Sequence, residues 1–202
     1  AWWAGLSTQI DIFDPLSFGF DLMYGRLSKA DITYDTPIGA FDGELGTKGW
    51  FFEAALNYKL DWGTPGIFGW YSSGDDRDDV DDGWFGRMPV VGVDDGFTPT
   101  SFGLAGSYTG ISSNSVISIS GTGTWGIGLQ LADMSFIEDL THTLRVAYYR
   151  GTNDSDIIKD AAGLDAAPHL SGEYIYLTDK DSVWEVNFDH QYKIYETVIG
   201  KK

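Results

Sequence analysis

Cysteine is absent from the 202 residues, which removes a disulfide scaffold, a thiolate zinc site and a cysteine nucleophile. Basic residues are scarce: 13 Lys and Arg stand against 30 Asp and Glu, giving a formal net charge of −17 and a pI near 4.2. Recognition of nucleic acid or anionic lipid by charge needs a basic footprint, and the chain as a whole lacks one. No apolar run reaches the roughly 18 residues of a spanning helix. No segment reads as a secretory signal, so the chain is expected to be a mature protein or a fragment. Disorder is excluded by a hydrophobic content of 43%, ample for a buried surface. Soluble β proteins and membrane β-barrels are left, because barrel strands carry only a weak alternating signal.

Glycine (26 residues) and aromatics (15%) are plentiful instead, and the pattern they sit in has period two. Leu6, Thr8, Ile10 and Ile12 oppose Ser7, Gln9 and Asp11. After Asp14-Pro15 the alternation resumes with Phe18, Phe20, Leu22 and Tyr24 against Ser17, Gly19, Asp21 and Gly25. Trp50, Phe52, Ala54, Leu56, Tyr58 and Leu60 oppose Glu53, Asn57, Lys59 and Asp61. Ile67–Tyr71 is shorter, with less clear parity. Trp125, Ile127, Leu129 and Leu131 oppose Gly126, Gly128 and Gln130; Leu144, Val146 and Tyr148 oppose Thr143, Arg145, Ala147 and Tyr149. In the last segment Trp184, Val186, Phe188, His190, Tyr192 and Ile194 alternate with Glu185, Asn187, Asp189, Gln191 and Lys193. Successive side chains of a strand point to opposite faces, so each segment has one apolar and one polar face.

Short connections are expected near 14–16, 61–66 and 133–141, and long ones near 28–47, 74–121 and 152–182. Short turns on one rim and long loops on the other are the habit of outer-membrane barrels. Tyr24, Trp50, Tyr58, Trp125, Tyr148, Trp184 and Tyr192 sit toward strand ends on the apolar parity, where rings with polar tips suit a lipid–water boundary. The direction of the polarity decides the class. A soluble sandwich points its apolar face inward; a membrane barrel points it at lipid and lines water with the charged parity.

Other motifs weigh less. Gly121-Thr-Gly-Thr-Trp-Gly126 matches G-x-G-x-x-G, but the segment 125–131 alternates and is poor helix material, so small residues in a strand are expected rather than a nucleotide site. The acidic run Asp75–Asp82 is a candidate Ca²⁺ loop through Asp76, Asp78, Asp79, Asp81 and Asp82. Its EF-hand spacing fails at Val80, and a solvated loop, or one folded into a pore to favour cations, are the other readings. Gly96 to Ala132 carries no charge; a buried loop, a constriction segment or a subunit-facing surface would each explain that. His142, His169 and His190 lack metal-ligand spacing. Glu53, Glu173 and Glu185 form no specific glycosidase signature. Asn153-Asp-Ser155 is a formal glycosylation sequon. No catalytic residues are assigned, and the chain is read as a non-enzyme.

The stretches Gly123–Leu140, His142–Asp154 and Trp184–Tyr195, with Trp2-Trp3 leading to Phe13-Asp-Pro15, resemble the homotrimeric outer-membrane porins of sulfate-reducing bacteria. The resemblance implies a water-filled trimeric β-barrel passing small hydrophilic solutes by diffusion, set in outer-membrane lipid. Members of that family are considerably longer, and outer-membrane barrels usually end in a strand with a terminal aromatic residue. The chain, ending Gly200-Lys-Lys202, is therefore expected to be part of a porin lacking strands needed for closure.

The expectation is thus one all-β domain over 1–202: an antiparallel meander of a transmembrane outer-membrane β-barrel, with passive passage of small polar solutes and cations as its work. Lumen-facing candidates are Asp11, Asp21, Glu53, Asn57, Lys59, Gln130, Arg145, Glu185, Asn187, Asp189, Gln191 and Lys193. No cofactor is required beyond the candidate Ca²⁺, and no nucleic acid is a partner. The alternative from another class is a secreted Cys-free β-sandwich that binds carbohydrate on exposed aromatics, with Ca²⁺ in the acidic loop.

Overall fold

A computed structural model of the chain describes residues 1–36, 39–89, 118–119, 123–156, 170–171, 174–175 and 177–193. The alternating segments become β1 (Trp2–Phe13), β2 (Leu16–Thr36), β3 (Gly39–Tyr58) and β4 (Thr64–Ser72). A short helix α1 (Arg77–Asp81) and the two-residue β5 (Trp84–Phe85) come next. After β6 (Ser118–Ile119) come β7 (Thr124–Ile137) and β8 (Leu140–Gly151), then β9 (Leu170–Ser171), β10 (Tyr174–Ile175) and β11 (Ser182–Tyr192). The main sheet runs β1-β2-β3-β4-β7-β8-β11, each neighbour antiparallel, with β5 added parallel to β3. β6, β10 and β9 make a separate small sheet. Among the described residues β1 and β11 each have a neighbour on one side only, so the sheet is open and does not close into a barrel.

The short turns all lie at one end of the sheet. Asp14-Pro15 joins β1 to β2, residues 59–63 join β3 to β4, and Glu138-Asp139 joins β7 to β8. Asp139, the second residue of that turn, is in the left-handed conformation (φ 64°), which Asp tolerates better than most side chains. At the other end one expectation needs correcting. The stretch 28–47 is no loop, because β2 and β3 stay paired as far as Thr36↔Gly39, past a bulge between Leu27 and Ala30. Over their far ends the two strands pair with each other rather than with the body of the sheet. A short alternation does run there, Ala30, Ile32 and Tyr34 standing opposite Leu45, Gly43 and Phe41 in register, and the Asp, Gly and Pro residues among them make the stretch read as a loop.

β7 continues directly from Gly123 as a strand, in place of the helix a nucleotide fingerprint requires. Gly123 has φ +74°, and a Cβ on it would come within 2.5 Å of the Asn153 amide. Most of the uncharged 96–132 stretch, with His169 and Glu173, lies outside the described residues. No described helix is long and apolar enough to cross a membrane, which says nothing of strands.

The buried cluster occupies the face opposite the long apolar rows. Phe51, Phe68, Trp70, Ala147 and Tyr149 gather there with Met88 and Leu177 from the connections. β4, whose parity is ambiguous in sequence, carries large side chains on both faces: Ile67 and Tyr71 on one, Phe68 and Trp70 on the other. The inward pair is accommodated by β7. A Cβ on Gly126 would lie 2.4 Å from the Trp70 ring, and one on Gly128 2.3 Å from the Phe68 ring.

Candidate functional site

Register aligns the apolar parity of every long strand into common rows. Phe18 pairs with Leu56, Leu56 with Ile67, Ile67 with Leu129, Leu129 with Val146, and Val146 with Val186. This face is the exposed one. Trp184, Val186 and Phe188 are 71%, 68% and 57% exposed, whereas Glu185 between them is 5% exposed. Leu129 is 63% exposed beside a buried Gly128. Nine aliphatic and Phe side chains of the mid-sheet rows (Leu6, Phe18, Leu56, Ile67, Ile127, Leu129, Leu144, Val186 and Phe188) are exposed. They present on the order of 800 Å² of apolar surface, beyond the few hundred Å² usual on a soluble monomer. From Tyr24 to Leu16, Trp50 to Tyr58, Tyr148 to Leu140 and Trp184 to Tyr192 this face carries no Asp, Glu, Lys or Arg.

All seven interface candidates lie on it. Trp2–Tyr24 and Tyr24–Trp50 have ring centroids 5.3 and 4.6 Å apart, and Trp125–Tyr148 and Tyr148–Trp184 are 6.1 and 5.1 Å apart. With exposed Tyr71 these rings form a belt toward the long-connection end. Tyr58 and Tyr192, joined by exposed Phe13, Trp62 and Phe136, form a second belt near the short turns. From Trp50 to Tyr58, at roughly 3.3 Å per residue, the belts are about 26 Å apart along the strand. A strand tilt of about 40° reduces that to about 20 Å, close to the apolar band of an outer-membrane barrel. Between the belts, where Ala54 faces Gly69, the small side chains leave a shallow groove of about 460 Å³.

On the other face Asp21, Glu53, Asn57, Gln130, Arg145, Glu185, Asn187 and Asp189 come together. A polar band crosses the sheet at one level. Gln130 donates from Nε2 to Asn57 Oδ1 (2.7 Å), Arg145 donates from Nε to Gln130 Oε1 (3.3 Å), and its Nη1 pairs with Asp189 Oδ2 (3.3 Å). Asn57 and Gln130 flank β4, not each other. They meet because Gly66 stands between them, and a Cβ there would lie 2.1 Å from Asn57 Oδ1. Glu185 accepts from Tyr149 Oη (3.3 Å) and from Asn187 Nδ2. Asp11, at the open edge, accepts from Gln9 Nε2 (2.9 Å). Lys59, Gln191 and Lys193 are exposed toward the short-turn rim, away from the middle of this face.

The connection after β4 folds back over the polar face at its other end. Met88 N and Gly86 O would meet a Cβ on Gly49, and Trp3 Nε1 donates to Pro89 O (2.7 Å). Asp75 anchors it. One carboxylate oxygen accepts from the Gly86 and Arg87 amides (2.9 and 3.3 Å), and the other pairs with Arg87 Nε at 2.7 Å. Its own amide donates to Asn153 Oδ1 (3.0 Å), while Asn153 Nδ2 donates to the carbonyls of Leu177 and Gly123. Asn153, the sequon residue, is thus 3% exposed with its amide engaged at both ends, a structural tie between three connections and not an accessible acceptor.

Asp76 accepts from the Asp78 amide at the start of α1, and Asp79 pairs with Lys48 at 3.0 Å. Among the described residues no three metal-ligating side chains converge; the side chain of Asp81 lies outside them. His142 and His190, far apart in sequence, are cross-strand partners with Nδ1 atoms 2.5 Å apart on the apolar face. Sequence spacing cannot show that, because strand pairing makes it. No family model, curated protein or solved structure matches the chain.

Proposed function

We propose that the chain is a wall of a porin-type β-barrel in the outer membrane, passing small hydrophilic solutes and cations by diffusion with no chemical step. The observation that carries the reading is the inverted polarity: exposed apolar rows between two aromatic belts, with the charged rows facing the other way. Moving about 800 Å² of apolar surface from water to lipid is worth on the order of 20 kcal/mol. In hydrocarbon every backbone polar group must be paired, so the free edges of β1 and β11 call for further strands of the same wall, and a homotrimer is the assembly we favour. The β-sandwich reading requires a second sheet over the apolar rows. Among the described residues none covers them, and Gly86, Met88 and Leu177 of the connections pack on the opposite face.

On the polar face the Asn57–Gln130–Arg145–Asp189 band would border the water path, and Asp21, Glu53 and Glu185 would bias it toward cations. The path narrows where Phe68, Trp70 and Tyr149 pack together, their centroids 6.3 and 5.7 Å apart in succession. Reconstitution of the native protein into planar bilayers tests this. The expected result is ohmic conductance with a cation-selective reversal potential. A monodisperse species in detergent-free buffer that neither floats with lipid vesicles nor conducts would overturn it.

A further inference from the structure

We infer that the apolar face carries, directly beyond its aromatic belt, a binding site for the phosphate of an anionic lipid headgroup; this rests on the membrane-wall reading above. The site is built on Trp84. β5 pairs in parallel with β3, Trp84 beside Gly46, and the Trp84 ring lies over Gly46, where a Cβ would come within 2.7 Å of it. Gly46 shares its face with Lys48, Trp50 and Phe52, so Trp84 emerges on the apolar face, where Asp79 of α1 also reaches Lys48, whereas Gly86 and Met88 of the same connection pack on the polar one. Three cations gather round its ring: Arg26 Cζ at 4.7 Å from the centroid, and Lys29 and Lys48 Nζ each at 5.4 Å. Arg26 and Lys48 are direct cross-strand partners, an arrangement that like charges disfavour unless something offsets them.

Internal partners offset only part of this charge. Asp79 pairs with Lys48, and Lys29 donates to the Asp82 carbonyl, an uncharged acceptor. The exposed guanidinium of Arg26 has the Trp84 face as its contact among the described residues. Among the described residues these three cations make one ion pair, Lys48 with Asp79, in a chain of net charge −17. Its height is informative as well. Along this face the order is apolar rows, then Tyr24 and Trp50, then Arg26 and Lys48, then exposed Glu44 two positions beyond Gly46. Cations confined to the step next to the belt stand where lipid phosphates stand, with donors of the kind that grip them. The overall acidity, which excludes broad anionic binding, does not exclude a site this local.

The test compares the full-length protein with the Arg26→Gln/Lys29→Gln variant in mixed micelles of phosphatidylglycerol and phosphatidylcholine, reading bound lipid by native mass spectrometry. The wild type should retain phosphatidylglycerol in preference to phosphatidylcholine, the preference should fall about fivefold per cation removed, and salt should weaken it. Equal retention of the two lipids, or an unchanged preference in the variant, overturns the site. Inorganic phosphate alone is titrated in parallel by thermal shift. A stabilisation that it reproduces in full makes this a free-anion site and overturns the lipid assignment. Flotation with purely zwitterionic vesicles separates the two readings. A wild type and variant that both float but show no headgroup preference sink the site and leave the wall standing, whereas a wild type that does not float removes both.

Discussion

A single arginine at the middle of the apolar face separates lipid from water as its surroundings. Leu129 lies between Ile67 and Val146 in the central row, within the apolar band between the belts, and is 63% exposed. If that face meets water, Leu129→Arg replaces one exposed side chain by another and stability should move by no more than about 0.5 kcal/mol. If it meets hydrocarbon, the guanidinium costs about 2–4 kcal/mol at the bilayer midplane, a factor of about 30 to 700 in the folding constant. Leu129→Ala supplies the baseline, since it removes the same apolar contacts without adding charge, and the difference between the two variants isolates the charge. The depth dependence is a second check: Trp125→Arg, in the belt, should cost only about 0–1 kcal/mol from charge. Urea titration of protein refolded into zwitterionic vesicles, with linear extrapolation to water, measures all three. A Leu129→Arg loss indistinguishable from that of Leu129→Ala would refute the lipid-facing assignment.

Gly66→Ala should break the Asn57–Gln130 bridge across β4, costing about 1–3 kcal/mol as an overpacked position does, with the loss read in the same titration. Gly126→Val should force Trp70 off β7 by a similar amount and change the near-ultraviolet circular dichroism of that ring; an unchanged spectrum would contradict the packing described. Asn153→Ala strips donors and an acceptor from a buried tie and leaves the Asp75 amide and the Leu177 carbonyl without that partner, at about 1–3 kcal/mol per orphaned group, while the Gly123 carbonyl keeps the Thr152 amide; early proteolysis within 73–89 should accompany it. Glu185→Gln together with Asp189→Asn should reduce cation selectivity in bilayer recordings without abolishing conductance, and unmoved selectivity would place these carboxylates away from the path.

The strands are legible in the sequence because one row of each must be apolar, and period two survives substitution of one apolar residue for another. The polar rows are legible for the same reason: the eight central lumen candidates share one face because register between neighbouring strands preserves parity. Three features escape. The far ends of β2 and β3 carry only a short alternation (Ala30, Ile32 and Tyr34; Phe41 and Leu45) broken by Pro37 and Gly39, which reads as a loop until the pairing joins its two halves. Phe68 and Trp70 break the alternation of β4 because their support, Gly126 and Gly128, lies on another strand, and a glycine in sequence does not say which ring it admits. Trp84 and its cations depend on β5 taking the place beside β3 that β4 vacates at Ser72, a long-range substitution that no local window contains.

The same geometry limits what such a wall could pass. Were the polar face bare, a curled sheet of this width would line an aqueous space with Asp21, Glu53, Arg145 and Glu185. It is not bare toward the long connections, where Met88 and Leu177 close over Phe51, Phe68, Trp70 and Tyr149. Buried aromatic packing excludes water, so on the proposed wall a hydrated route would run along the band from Asn57 to Asp189 and skirt the aromatic cluster. Asp75 and Asn153 fix the connection that creates this asymmetry, and both are buried polar groups whose hydrogen bonds hold only while the connection stays folded. If the wall lines a pore, selectivity by size and stability of the fold would therefore share one set of contacts. A variant that loosens the Asp75–Asn153 tie should gain conductance as it loses stability, a correlation that a gate free to move independently of the fold would not show.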